Sequence, residues 1–223
     1  MRTIKAKPIT VEAFHKFGNF TDLLNPEGYS LGDFYQDRLL MHFSARMQAA
    51  FSPLLIHKAE HMVVSQSEFH NYTQESMLCL DDDMILYVAP ASKEPIPEYS
   101  EAFIVPKGTM VCLNTGVWHL APYAVNKETA HVLIVLPERI YNNDCIVMDY
   151  TEEQKYEIVL YKMPGSKVIN HDALAQEWLY DLMTRPNMRI KVGCIPHDIR
   201  ILGRIVGLRS TKQSVWHLLT LTP

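Results

Sequence analysis

The sequence has little of what marks an exported or membrane-embedded chain. It has four cysteines, Cys79, Cys112, Cys145 and Cys194, none within C-x-x-C spacing of another. Each lies in an apolar or strand-like stretch, so buried free thiols are expected rather than a disulfide framework or a zinc site. No apolar run approaches the roughly 20 residues a membrane span requires. The opening MRTIKAKPITVEAF is charged and lacks the unbroken apolar stretch of an export signal, so cytoplasm is the expected compartment. Low-complexity tracts are missing too, and 48% hydrophobic against 21% charged residues is the balance of an ordinary folded chain. A basic surface is lacking where it would matter for phosphate. Residues 1–150 hold 11 Lys and Arg against 18 Asp and Glu, and residues 151–223 hold 10 against 7. An acidic body argues against a nucleic-acid partner, and the small basic excess of the tail is too dispersed to reverse that.

What is present reads mainly as short strands. Thr10, followed by Glu12 and apolar residues, predicts a short capped helix ending at Gly18. From about residue 51 the apolar runs SPLLIH, HMVVS, SMLCL, DMILYVAP, EAFIVP, TMVCLN and HVLIVLP recur at intervals of about 10 to 15 residues, the texture of a β-sandwich or barrel. Asp81-Asp82-Asp83 reads as a hairpin turn, since no spaced oxygen ligands accompany it. The proline-rich residues 90–97 read as a surface loop. In the last seventy residues EIVLYKM offers one more strand, and residues 170–183, capped by Asn170, carry Leu174, Trp178 and Leu182 at helical spacing. Residues 151–223 are therefore expected to form an extension that includes a helix, beside a domain of residues 1–150.

The most informative stretch is EAFIVPKGTMVCLNTGVWHLAPYAV. Gly108 is followed by Asn114-Thr115-Gly116, then His119, then Tyr123. A glycine turn starts a strand, a second tight turn reverses it, and the next strand aims His119 into the barrel. Away from bulk water, a histidine can bind a metal or move protons at a tuned pKa. The spacing resembles the second conserved motif of the cupins, with Asn114 in place of proline and Tyr123 in place of asparagine. That resemblance implies a double-stranded β-helix, a jelly-roll barrel.

The ordered set KAKPITVEAFHKFG, LLIHKAEHM, VAP, AFIVPKG, GVWH and LPERIYNNDC further resembles the ureidoglycolate lyase family of cupins over residues 1–150. The activity this implies is cleavage of ureidoglycolate into glyoxylate and urea, late in purine and allantoin breakdown. The family's first motif is Glu-x-His, then four residues, then Gln. Laid without gaps on LLIHKAEHM it places Glu60 on the glutamate, Met62 on the histidine and Ser67 on the glutamine. A thioether and a hydroxyl suit a hard divalent ion poorly, so a metal is expected only if other residues replace them. His70, Tyr72 and Glu75 in EFHNYTQES are candidates, able to complete a metal or acid–base site with His119, or else to form a polar hairpin facing water.

The expected catalytic groups are thus His119, Glu60 and His70. Lys107, Tyr72 and Tyr123 are the candidate substrate contacts, and His119, His70 and Glu75 the candidate metal ligands. Trp118 should point away from its neighbour His119. Two other functions stay open: a non-catalytic cupin binding a small organic acid or sugar, and a metal-dependent isomerase. The expected partners are a small carboxylated molecule and a second copy of the chain, covering edge strands in a homodimer.

Overall fold

The structure is a computed structural model and describes residues 1–43 and 47–160. The expected helix at 170–183, and all of the extension beyond residue 160, lie outside the described residues.

The chain begins with β1 (Arg2–Pro8), α1 (Val11–Phe14), β2 (Gly18–Asp22) and β3 (Ala49–His57). It continues through β4 (Met62–Val64), β5 (Gln66–Phe69), β6 (Glu75–Cys79), β7 (Met84–Ala89), β8 (Glu101–Val105) and β9 (Thr109–Leu113). Then come β10 (Trp118–His119), β11 (Tyr123–Ala124), β12 (Thr129–Pro137), α2 (Ile140–Asn143), β13 (Ile146–Asp149) and β14 (Tyr156–Val159). All seven apolar runs are strands. The strands the apolar pattern did not show are β1, β2, β5, β10, β11 and β13; β10 and β11 have two residues each, and β5 is largely polar.

One sheet has the order β13-β5-β10-β7-β8-β1-β14-β4 with β11 also on β7, and the other β2-β9-β6-β12-β3. The core holds Leu86, Val88 and Phe103 from the first together with Met77, Val111 and Ile134 from the second. The sheets therefore face each other across one interior, as a double-stranded β-helix requires. β7 is buried at all six positions: Met84, Leu86 and Val88 belong to the core, while the alternate residues lie on the sheet's covered outer face. Burial on both faces is why β7 reads as an unbroken apolar run. β14 pairs with β1 and β4, so the sheet extends past residue 150 to Val159.

Thr10 caps α1 as expected, its Oγ1 accepting from the Ala13 N–H at 3.3 Å. The helix is shorter than expected, because Phe17 N–H turns back to the Phe14 carbonyl and Gly18 already begins β2. Phe14 and Phe17 are wholly buried, and Phe14 meets Phe103 edge-on at 5.3 Å. Gly108 and Gly116 have φ of 80° and 77°, the left-handed region that tight turns demand and side chains resist.

The aspartate triplet is not a hairpin: it carries the chain from β6 in one sheet to β7 in the other. Each carboxylate there accepts a backbone N–H, and Asp81 in addition meets the exposed His131 ring at 2.9 Å. Asp81 takes the His131 N–H, Asp82 the N–H groups of Asn126 and Lys127, and Asp83 the N–H of Lys107, at 2.8–2.9 Å. Among the described residues no helix is long and apolar enough to cross a membrane.

Candidate active site

Register decides which side chains meet inside the barrel. His119 stands opposite Val88 on one side and Glu68 on the other, and Val88 is a core residue. Partners across a ladder share a face, so His119 and Glu68 point inward. From the opposite sheet, Glu75 stands across from the core residue Leu113 and points inward too. His70 follows the end of β5 and swings in beside them. His70, Glu75 and His119 are 2%, 4% and 2% exposed, and their ligand atoms, with that of Glu68, lie within 4.8 Å of one another. Trp118 points the other way as expected, meeting Phe69 at 4.4 Å and donating to Ser92 in the proline-rich loop.

The hydrogen bonds assign the protons. His119 Nδ1 lies 2.8 Å from the Val117 carbonyl and His70 Nδ1 2.5 Å from the Asp144 carbonyl. A carbonyl only accepts, so both Nδ1 atoms carry hydrogen and both neutral rings have their lone pair on Nε2. Those two Nε2 atoms share one oxygen, Glu75 Oε2, at 2.9 and 3.0 Å. Three lone-pair atoms cannot face one another unless protons or a cation stand between them. Burial pushes the Glu75 carboxyl up, but His119 and His70 override it and hold it near 2. Burial works to lower His119, and the Glu75 carboxylate raises it instead.

A second tier flanks the cluster. Cys145 donates its thiol to Glu68 Oε2 at 3.2 Å, and burial with the Glu68 contact pushes that thiol up to about 12. The Tyr141 phenol is likewise pushed up to about 12 by burial and the Glu75 and Glu68 charges, although the residue as a whole is 59% exposed. Both groups stay protonated, and Cys145 acts as a donor to Glu68.

Of the expected site residues the fold brings His70, Glu75 and His119 together. Glu60 stands exposed in the turn between β3 and β4, and the cluster takes its carboxylates from Glu75 and Glu68. Tyr72 is 79% exposed: β5 ends at Phe69, so the alternation that would have put Tyr72 on the face of His70 ends before either residue. Lys107 is exposed in the turn after β8. Its N–H holds Asp83 beside Met84, whereas His119 pairs with Val88, four residues or ~13 Å along β7. Tyr123 stands opposite Ile85, on the outer face, where it stacks on Tyr87 at 6.0 Å and donates to the Val63 carbonyl at 3.1 Å.

The unforeseen members are Glu68, Tyr141, Asp144 and Cys145. For Glu68 a signal existed. The Glu-x-His pattern with its third position after four more residues falls in register on Glu68, His70 and Glu75, downstream of LLIHKAEHM, with glutamate where the family motif has glutamine.

A double-stranded β-helix with two imidazoles and two carboxylates converging inside one end of the barrel is a cupin. The chain belongs to the ureidoglycolate lyase family, whose model matches residues 1–158. A curated protein of Agrobacterium fabrum (strain C58), named "Putative ureidoglycolate lyase", is 30% identical over 134 residues, covering 56% of this chain and 78% of that one. Among solved structures, RmlC from Streptococcus suis in complex with dTDP-D-xylose is 10% identical with a TM-score of 0.29, covering 56% of this chain and 58% of that chain. dTDP-4-dehydrorhamnose 3,5-epimerase from Elizabethkingia anophelis is 14% identical with a TM-score of 0.28, covering 51% and 55%. At those scores the two structures carry no weight for fold or function.

Proposed function

We propose that this chain is a ureidoglycolate lyase, releasing urea from ureidoglycolate and leaving glyoxylate. The observation that carries the reading is the single Glu75 oxygen shared by two inward Nε2 atoms. With Glu68 beside them, the two carboxylates would repel a carboxylated substrate unless about two positive charges offset them. Two imidazolium rings supply that charge, and so does one divalent cation.

The donor set fits a divalent cation. Ligating histidines characteristically donate their other ring N–H to a carbonyl or carboxylate, as His70 and His119 do here. His70, Glu75 and His119 would hold the ion, with Glu68 in reach. When bound, the ion would supply charge stabilisation at the substrate's oxygens.

The chain's own groups handle the proton. Glu68, the least buried member of the cluster, takes the proton of the substrate hydroxyl. The carbinol C–O becomes a carbonyl as the C–N bond breaks, its electron pair going to the urea nitrogen. Glu68 then returns the proton to that nitrogen, so no water or oxidant is consumed. Cys145 orients the Glu68 carboxylate, and Tyr141 offers a hydrogen bond to the incoming carboxylate or ureido carbonyl. For assembly, a homodimer is supported by β3, an edge strand with Phe51 and Leu55 exposed at 66% and 49%.

The test is glyoxylate release from ureidoglycolate above the spontaneous rate, measured with Mn²⁺ and after chelation. Release in the wild type that collapses in Glu68→Gln supports the reading. No release, together with thermal stabilisation by glyoxylate, replaces it with a binding module.

A further inference from the structure

We propose that Asp144 is a positioning residue that sets the tautomer and aim of His70. The inference rests on His70 being a working group of the site described above. The two histidines are held differently. His119 Nδ1 bonds to the Val117 carbonyl, two residues away in its own segment. His70 lies just beyond the end of β5, and its Nδ1 bonds instead to the carbonyl of Asp144 at 2.5 Å, 74 positions along the chain.

That carbonyl is held in place by the same residue's side chain. Asp144 Oδ1 accepts the Asn71 N–H and Oδ2 the Tyr72 N–H, each at 2.8 Å. The backbone of Asp144 thus fixes the ring of His70, while the carboxylate of Asp144 fixes the backbone that follows His70. The two halves close a reciprocal clasp, the logic of a helix capping box applied between the ends of the neighbouring strands β5 and β13. Asp144 is 7% exposed, so both carboxylate bonds are charge-assisted and shielded from water. Its own N–H donates to the Ile140 carbonyl at 2.8 Å, which ties the turn bearing Tyr141 to the same point. Without the clasp, nothing local keeps the His70 proton on Nδ1 and its lone pair on the Nε2 that faces Glu75.

An asparagine cannot replace Asp144 fully. Two N–H donors face it, and an amide offers one acceptor oxygen and one NH₂ group. Asp144→Asn therefore breaks one bond, and Asp144→Ala breaks both.

The experiment compares full-length wild type, Asp144→Asn, Asp144→Ala and the control Asp82→Asn. Asp82 is 5% exposed and caps backbone N–H groups at the β6–β7 crossover, so it reports ordinary loss of a buried aspartate. Imidazole ¹H–¹⁵N spectra, assigned by His70→Gln, read the tautomer, and calorimetry with Mn²⁺ alone reads affinity. The expected result is a single Nδ1–H tautomer of His70 in the wild type and a mixture in both Asp144 variants, with His119 unmoved. Mn²⁺ affinity should fall about 10–100-fold, while Asp82→Asn loses thermal stability and changes neither readout. Unchanged His70 signals in both Asp144 variants, or equal changes in Asp82→Asn, would overturn the proposal. Should the wild type bind no Mn²⁺, the metal reading fails and the imidazole signals alone decide the role of Asp144. If Asp144→Ala does not fold, Asp144→Asn decides it.

Discussion

Two groups of carboxylates lie about the barrel, and they differ in what faces them. At the β6–β7 crossover Asp81, Asp82 and Asp83 accept backbone N–H groups. Those backbone donors keep their protons at any ordinary pH, so the aspartates hold a turn together; the one titratable ring there, His131 beside Asp81, is exposed. At the other end of β7, Glu75 faces two Nε2 atoms whose protons are optional, and Glu68 faces a thiol. The same functional group thus serves the backbone in one place and is left to exchange protons or a cation in the other. Neither acidity nor clustering separates the two; the partner's proton does.

The contrast is broken most forcefully at His119. His119→Ala should lower the glyoxylate-release kcat/KM by about 10³-fold or more and abolish Mn²⁺ binding, with the far-UV spectrum unchanged. If the variant keeps wild-type kcat/KM, the polar end has no catalytic role. Next in size is Asp82→Ala. It strands the N–H groups of Asn126 and Lys127 and should cost about 2–3 kcal/mol, a fall in Tm of roughly 5–10 °C. Mn²⁺ affinity should not move, and a coupled loss would erase the distinction between the two ends.

A smaller effect belongs to Asp81, whose carboxyl is held down at about 2 by the His131 side-chain and backbone hydrogen bonds, from an ordinary 3.8. A depressed carboxyl stabilises the fold above its unfolded pKa, and that contribution disappears as pH falls through the folded value. Between about pH 4 and pH 2 the wild type should therefore lose Tm more steeply than Asp81→Asn; parallel curves would contradict the pairing. The smallest effect is expected for Lys107→Ala. Only its backbone N–H is engaged with Asp83, so kcat/KM should stay within about twofold of wild type. A tenfold rise in KM would restore the substrate role its sequence position suggests.

Legibility in the sequence followed the same physics. The apolar strands were readable because burial leaves a periodic trace, and Gly108 and Gly116 because only glycine sits easily at φ near 80°. His119 was readable because two such turns frame it at a recognisable interval. β5 was not, because QSEF has no apolar alternation. Glu68 and His70 sit on and just after that strand, so the first-motif pattern was laid instead on the more apolar LLIHKAEHM. Asp144 was invisible for another reason: its contact with His70 spans 74 positions, and no local pattern encodes a partner that distant.

Residue types and their periodicity alone determined that this chain builds a β-barrel with tight glycine turns and one inward histidine. Those features follow from water leaving apolar side chains and from backbone sterics, both local. Which carboxylates meet that histidine, and which are spent on backbone N–H groups, was decided only when two sheets closed on each other. An acid's role depends on whether the atom opposite it always carries a proton, and that atom comes from a distant part of the chain.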